Sequence, residues 1–146
     1  MKVKLLLFSI ILTVISCKPT KDKRVVFDSK GQKAITSSVS KKLRTVSILF
    51  GNQAALESAL KGGAHRGGEM FTFVTWNQDN EKFWFPGLIN GKIKSIEVVN
   101  IVLRGNTLKP DYRLVQGTAP KRLTDQLYTQ SERIEFITSQ RPSIYP

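Results

Sequence analysis

The fold is decided by the stretch from Met70 to Phe85, which reads M-F-T-F-V-T-W-N-Q-D-N-E-K-F-W-F and holds both tryptophans of the chain. Its first half alternates as a β-strand does, with Phe71 and Phe73 on one face and Val74 and Trp76 on the other. Because large apolar groups stand on both faces, this half is predicted to be a central strand that is covered on both sides.

A turn is predicted directly after this strand, at residues 77–80, where short amides and a carboxylate bond their own backbone readily. A second aromatic run follows and is stopped by Pro86-Gly87. Aromatic side chains near one another can line an apolar pocket, although a plain hydrophobic core is the alternative interpretation. The candidate pocket consists of Trp76, Phe83, Trp84, Phe85 and the nearby carboxylate Glu69.

On the amino-terminal side, the pattern predicts one strand and one helix. Leu43–Phe50 alternates and is rich in the β-branched residues that suit a strand. Asn52 is predicted to cap a helix over Gln53–Lys61, in which alanine and leucine recur at helical spacing. Gly62-Gly63 then ends the helix, because glycine accepts the left-handed conformation that is common there.

On the carboxyl-terminal side, the pattern predicts two more strands. Asn90-Gly91 is a tight-turn signal, and Lys92–Leu103 follows it as a long strand. The consecutive pair Val98-Val99 indicates a bulge or burial on both faces. A further turn at Gly105-Asn106 predicts that Tyr112–Val115 pairs back antiparallel.

Thr129–Glu132 matches a capping box ahead of a closing helix, which Pro142 should end. Residues 116–128 are predicted to be an irregular connection. Together these elements predict an α+β fold, a twisted antiparallel sheet of about four to five strands with helices packed on one face.

Residues 1–16 have the composition of an export signal, in which two lysines precede an apolar run. This run, Leu5–Ile15, is shorter than the about 20 residues that a transmembrane helix needs. It ends in Val14-Ile15-Ser16-Cys17, which resembles the lipobox of bacterial lipoproteins. The resemblance implies that Cys17, the only cysteine, carries lipid and anchors the chain to a cell or outer membrane, facing the periplasm. An ordinary secretory signal with an unrelated cysteine is the alternative.

Three parts are therefore predicted: a lipoprotein signal peptide over 1–16, a flexible tether over 17–42, and one folded domain over 43–146. The formal net charge of +12 predicts a positive surface that faces anionic lipid or acidic glycan, or simply a solvated face. An exported lipoprotein rarely meets nucleic acid, so none is expected as a partner. The expected partners are the bacterial membrane, through lipid on Cys17, and an unidentified small ligand or protein.

Residues that carry catalysis or bind metals are scarce in this chain. His65 is the only histidine, so a zinc site would lack a second imidazole and a thiol within the domain. No Gly-x-Ser-x-Gly segment presents a nucleophile. His65 lies in a glycine-rich loop, where it is either exposed or in contact with a ligand. No catalytic residue and no metal site are predicted.

Four segments in order resemble the cytochrome P-460 family, over about Thr45 to Val102. They are L-F-G-N-Q-A-A-L-E-S-A-L, F-T-F-V-T-W-N-Q, F-W-F-P-G-L-I-N-G and K-S-I-E-V-V. The S-Q-R-P segment after the closing helix also fits. The resemblance implies an antiparallel sheet with helices, in agreement with the pattern.

Characterised members of that family are periplasmic c-type cytochromes that oxidise hydroxylamine, with relatives that bind nitric oxide. They hold haem through Cys-x-x-Cys-His, which this chain lacks. We therefore expect a binding or accessory domain without cofactor, not an enzyme that oxidises hydroxylamine by the family's mechanism. The alternative is a redox protein that binds haem non-covalently, with His65 as the axial ligand.

Overall fold

A computed structural model of the chain describes residues 26–80, 87–118, 120–122, 124 and 126–142. The described residues form five strands and two helices. In chain order they are β1 (Lys33–Ser40), β2 (Thr45–Gly51), α1 (Gln53–Lys61), β3 (Met70–Asn80), β4 (Leu88–Arg104), β5 (Thr107–Gly117) and α2 (Gln130–Thr138). The strands form one antiparallel sheet in the order β1-β2-β3-β4-β5. Sheet therefore dominates the architecture.

β3 is the middle strand of this sheet, as its sequence predicts. Phe73 lies opposite Leu49 of β2, and Phe71 lies opposite Val99 of β4. Phe71, Phe73 and Trp76 are all buried. Because strands flank β3 on both sides, nearly all of its backbone groups find partners within the sheet.

One face of the sheet carries the larger buried cluster, which also takes residues from both helices. Ala55 and Ala59 lie one turn apart on α1, so small side chains face the sheet and the helix approaches closely. Ile137 contributes from α2. We call this the helix-side cluster; it consists of Ile35, Leu49, Ala55, Ala59, Phe71, Phe73, Val99, Ile101 and Ile137.

The other face carries a smaller cluster, to which neither helix contributes among the described residues. Its buried members are Val74, Trp76 and Ile96. Half-buried apolar side chains surround them, namely Phe27, Val46, Ile48, Phe50, Ile93 and Val98. Val98 thus belongs to this open-side cluster and Val99 to the helix-side cluster, which confirms burial of that pair on both faces.

Both helices begin where local chemistry predicts. The Asn52 side chain accepts a hydrogen bond from the Ala55 N–H at 3.0 Å, and the Gly62 N–H bonds the Ser58 carbonyl at the other end of α1. Thr129 and Glu132 form the predicted capping box of α2. These caps satisfy backbone groups that the helix ends would otherwise leave unpaired.

The two turns predicted at 77–80 and at Asn90-Gly91 are wrong. Both segments continue their strands and pair with each other, Gln78 opposite Asn90 and Asn80 opposite Leu88. The antiparallel partner supplies hydrogen bonds that outweigh the local turn preference. Gly91 leaves room for its strand neighbours, because a Cβ there would displace the Asp79 side chain and approach the Asn77 carbonyl oxygen to 3.2 Å. The two strands connect through residues 81–86, which lie outside the described residues.

The expectation of a tether over 17–42 is wrong for residues 33–40, which form β1. This strand pairs antiparallel with β2 and buries Ile35. Its composition is mostly small and polar because an edge strand needs only one buried side chain and one hydrogen-bonded neighbour. β5 likewise extends beyond the predicted Tyr112–Val115, to Gly117.

Candidate functional site

An apolar cleft of about 380 Å³ opens on the face of the open-side cluster. The rings of Phe27 and Phe50 lie 5.4 Å apart within its wall. Asn90 is the one polar side chain among the described residues of the lining, which are Val26, Phe27, Ile48, Phe50, Trp76, Ile89 and Asn90. Such a site suits an apolar or aromatic group that carries at most one hydrogen-bonding function.

The sheet positions each wall of this cleft. Alternation along β2 places Ile48 and Phe50 on the open side, and Trp76 stands beside them on β3. Register shifts on both sides of Trp76 mark a local irregularity in the pairing of β3 with β4. Ile89 and Asn90 complete the lining from the part of β4 that precedes the predicted strand 92–103, and Asn90 belongs to the predicted turn. The cleft therefore depends on that strand extension.

The predicted pocket residues do not gather at one place. Trp76 lines the cleft and is only 3% exposed. Glu69 lies at the opposite face, beside α1, so it shares no pocket with Trp76. Phe83, Trp84 and Phe85 lie outside the described residues. The sequence carried the signal for this separation, because Trp76 is seven positions after Glu69 and an odd spacing along extended chain reverses the face.

Glu69 is 1% exposed and organises a polar cluster with the candidate ligand His65. Its Oε1 accepts hydrogen bonds from the Ser58 hydroxyl and from the Arg66 N–H, and its Oε2 lies 2.7 Å from His65 Nδ1. An ionised carboxylate only accepts, so Nδ1 carries the proton of this bond. In the neutral form of this tautomer, Nε2 has a lone pair that can bind a metal or accept a proton.

A polar cleft of about 310 Å³ lies beside His65, and its lining includes Lys61 and Arg66. This region is the carboxyl end of α1, where basic side chains complement the helix dipole. Arg141 donates to the carbonyls of Ser58 and Ala59 at 3.2 Å. The basic side chains here therefore complement the carboxyl end of α1. The hydrogen bonds of Glu69 attach the loop that follows α1 to that helix.

The described residues do not fit a non-covalent haem. Haem needs an axial ligand together with walls that cover a large, mostly apolar macrocycle. His65 offers the ligand, but the cleft beside it is polar, and the apolar cleft at Trp76 lies on the opposite face of the sheet. In the part of the chain that the structure describes, no three His, Cys, Asp or Glu side chains gather to hold a metal ion.

A second buried carboxylate, Glu97, has partners that the sequence did not predict. It accepts two hydrogen bonds from Arg133 and one from the Tyr112 hydroxyl at 2.9 Å. Burial and then the adjacent Glu97 charge raise the pKa of Tyr112 to about 12. A glutamate between Ile96 and Val98 in an apolar strand is the signal that could have revealed it. Glu97, Arg133 and Tyr112 are hydrogen-bonded to one another, which indicates a structural role for this network.

No protein-family model matches the chain, and no curated protein matches it significantly. The helices that the structure describes are all too short or too polar to cross a membrane.

Proposed function

We propose that the chain is a membrane-anchored extracytoplasmic lipoprotein whose domain binds a small apolar or aromatic ligand in the cleft over Trp76. The apolar lining of that cleft carries the proposal. A charged ligand would lose its hydration there without gaining a charged partner from the described lining. An apolar group instead gains about 25 cal/mol for each Å² that it removes from water.

The amino-terminal pattern supports the anchor. A basic start, a short apolar run and the single cysteine at position 17 match what lipid attachment requires. Val26 at the rim of the cleft is nine positions after Cys17, and a chain of nine steps spans at most about 30 Å. The cleft would therefore stay close to the bilayer surface, facing the periplasm.

We further propose that the domain is α+β, with both helices on the helix-side face, and that it is a relative of the cytochrome P-460 family without its haem. The V-T-W segment of the resemblance lies in the central strand β3, and K-S-I-E-V-V lies in β4 beside it. A fold can be retained while its site is not. No cofactor is proposed, because His65 and the apolar cleft are on different faces.

Titration of the full-length chain with N-phenylnaphthylamine tests the ligand proposal, since this probe fluoresces strongly only in apolar surroundings. We expect saturable binding that Ile89→Asp weakens at least tenfold, because the new carboxylate would stand in the cleft without a partner. Leu103→Asp is the matched control; Leu103 is 64% exposed and lies outside the described lining of the cleft.

Equal loss in both variants would show that the probe binds elsewhere or only to unfolded chain. Failure of the unmodified chain to bind would contradict the small-ligand proposal and leave the same apolar face to a protein partner. Far-ultraviolet circular dichroism of each variant verifies that the sheet is intact.

A further inference from the structure

The turn between β1 and β2 places an exposed apolar side chain among cations. Residues 41–44 read K-K-L-R, and Leu43 is 44% exposed. A surface leucine is ordinary by itself. Three basic residues directly beside it give the combination found in segments that lie at a membrane interface.

The register of the sheet brings two more cations to the same end. Thr45, the first residue after the turn, pairs with Asn77 of β3, and the adjacent Trp76 pairs with Ile93 of β4. Lys92 and Lys94 are exposed on either side of Ile93. We call these residues the basic tip: Lys41, Lys42, Leu43, Arg44, Lys92 and Lys94. Asp79 is a carboxylate at this end, opposite Ile89 of β4.

The turn is held in one conformation by the neighbouring strand. Arg44 has φ of +48°, a left-handed geometry in which glycine or asparagine is usual. Its carbonyl accepts from the Gln78 N–H at 2.8 Å, and its guanidinium donates to Asn80 at 2.7 Å. Because β3 fixes the turn, Lys41, Lys42 and Leu43 are presented without further ordering, which lowers the entropic cost of binding.

We infer that the basic tip docks on the anionic headgroups of a phospholipid bilayer, with Leu43 entering the interface. Each basic residue near such a surface contributes about 1 kcal/mol, or about fivefold in affinity. The inference rests on the proposed membrane location, but neither on lipid at Cys17 nor on a ligand in the cleft. A lipid anchor would hold the tip at high effective concentration beside its target.

A fluorescent label at the tip tests this contact directly. In the full-length Cys17→Ser chain, Leu43→Cys creates a single thiol for a nitrobenzoxadiazole label, and Leu103→Cys at the opposite end of the sheet is the control. Both chains share the same amino-terminal apolar segment, so binding through that segment is matched. We expect the label at position 43 to shift to the blue on phosphatidylcholine vesicles that contain phosphatidylglycerol, and not on phosphatidylcholine alone. The label at position 103 should stay in water on both.

Charge removal identifies the groups responsible. With the label at position 43, Lys41→Gln with Lys42→Gln should raise the lipid concentration of half-maximal change by about 25-fold, that is, fivefold for each lysine. Arg104→Gln with Lys109→Gln removes the same charge at the opposite end of the sheet. This pair should change the lipid concentration of half-maximal response less than twofold. Added salt should weaken the response. Equal losses in both pairs, a label that stays in water, or a response insensitive to salt would overturn the inference. Soluble glycerol phosphate that abolishes the label's response to vesicles would overturn it too, and would assign the tip to soluble anions.

Discussion

Arg133 donates two parallel hydrogen bonds to Glu97, from Nε to Oε2 at 2.9 Å and from Nη2 to Oε1 at 2.8 Å. Both side chains are buried, and the pair joins α2 to β4 on the helix-side face of the sheet. The guanidinium also lies 4.8 Å from the ring centre of Phe136 and 5.5 Å from that of Phe73. One ion pair thus fixes where the closing helix docks.

Arg133→Ala should lower the free energy of unfolding by about 3–5 kcal/mol, because it leaves Glu97 buried without a counter-charge. Urea unfolding followed by circular dichroism measures this. The double variant Glu97→Met with Arg133→Met should lose much less stability, because it removes both buried charges together. A double variant as unstable as Arg133→Ala would show that the loss comes from packing and not from the orphaned carboxylate.

Trp76→Ala should lower the free energy of unfolding by about 3–5 kcal/mol, because it leaves a large cavity in the open-side cluster. That is a large share of the stability of one small domain. Thermal unfolding measures the effect, with Leu103→Ala as the exposed control. A melting temperature that stays the same in Trp76→Ala would contradict the packing role of this residue.

Stability should fall as acid protonates Glu132. Hydrogen bonds from Arg122 and Thr129 lower the pKa of this carboxyl from 4.5 to about 2. Because the pKa of Glu132 is lower in the folded state, the ionised carboxylate stabilises the fold above pH 4.5. This stabilisation is lost as the pH falls towards 2. Melting temperatures across that range should therefore drop less in Glu132→Gln than in the unmodified chain. Parallel curves for the two proteins would contradict this.

Lipid attachment should require Cys17. In a bacterial host, the unmodified chain should incorporate labelled palmitate and stay with membranes through salt and carbonate washes, because several acyl chains anchor firmly. Cys17→Ser should lose the label and be released. If Cys17→Ser still fractionates with washed membranes, lipid on this residue is not the anchor.

Hemin should not convert this domain into a hydroxylamine oxidase. The iron would need a fixed position and a tuned environment, whereas the described walls around His65 are polar and charged. With hemin, hydroxylamine and an electron acceptor, turnover should equal that of free hemin, with or without His65→Ala. A Soret band or an activity that disappears in His65→Ala would restore the haem interpretation.

The sequence alone determined the elements whose causes are local. Asn52 and Gly62 mark the two ends of α1, and the capping box of Thr129 and Glu132 marks the start of α2. Each cap bonds a backbone group within four residues, so its cause is local. The alternation through Phe73 and Val74 likewise placed β3 at the centre of the sheet.

Tertiary structure decided whatever depends on distant partners. Residues 77–80 carry strong turn chemistry, yet β4 pairs with them and keeps them extended. The mostly polar segment 33–40 becomes a strand because β2 offers it an edge. The tertiary structure also gathered Ser58, His65 and Arg66 around the buried Glu69 carboxylate, a set of partners that no local pattern indicates. Hydrogen bonds and burial between residues far apart in sequence outweigh local preference, and only the assembled sheet shows which of them form.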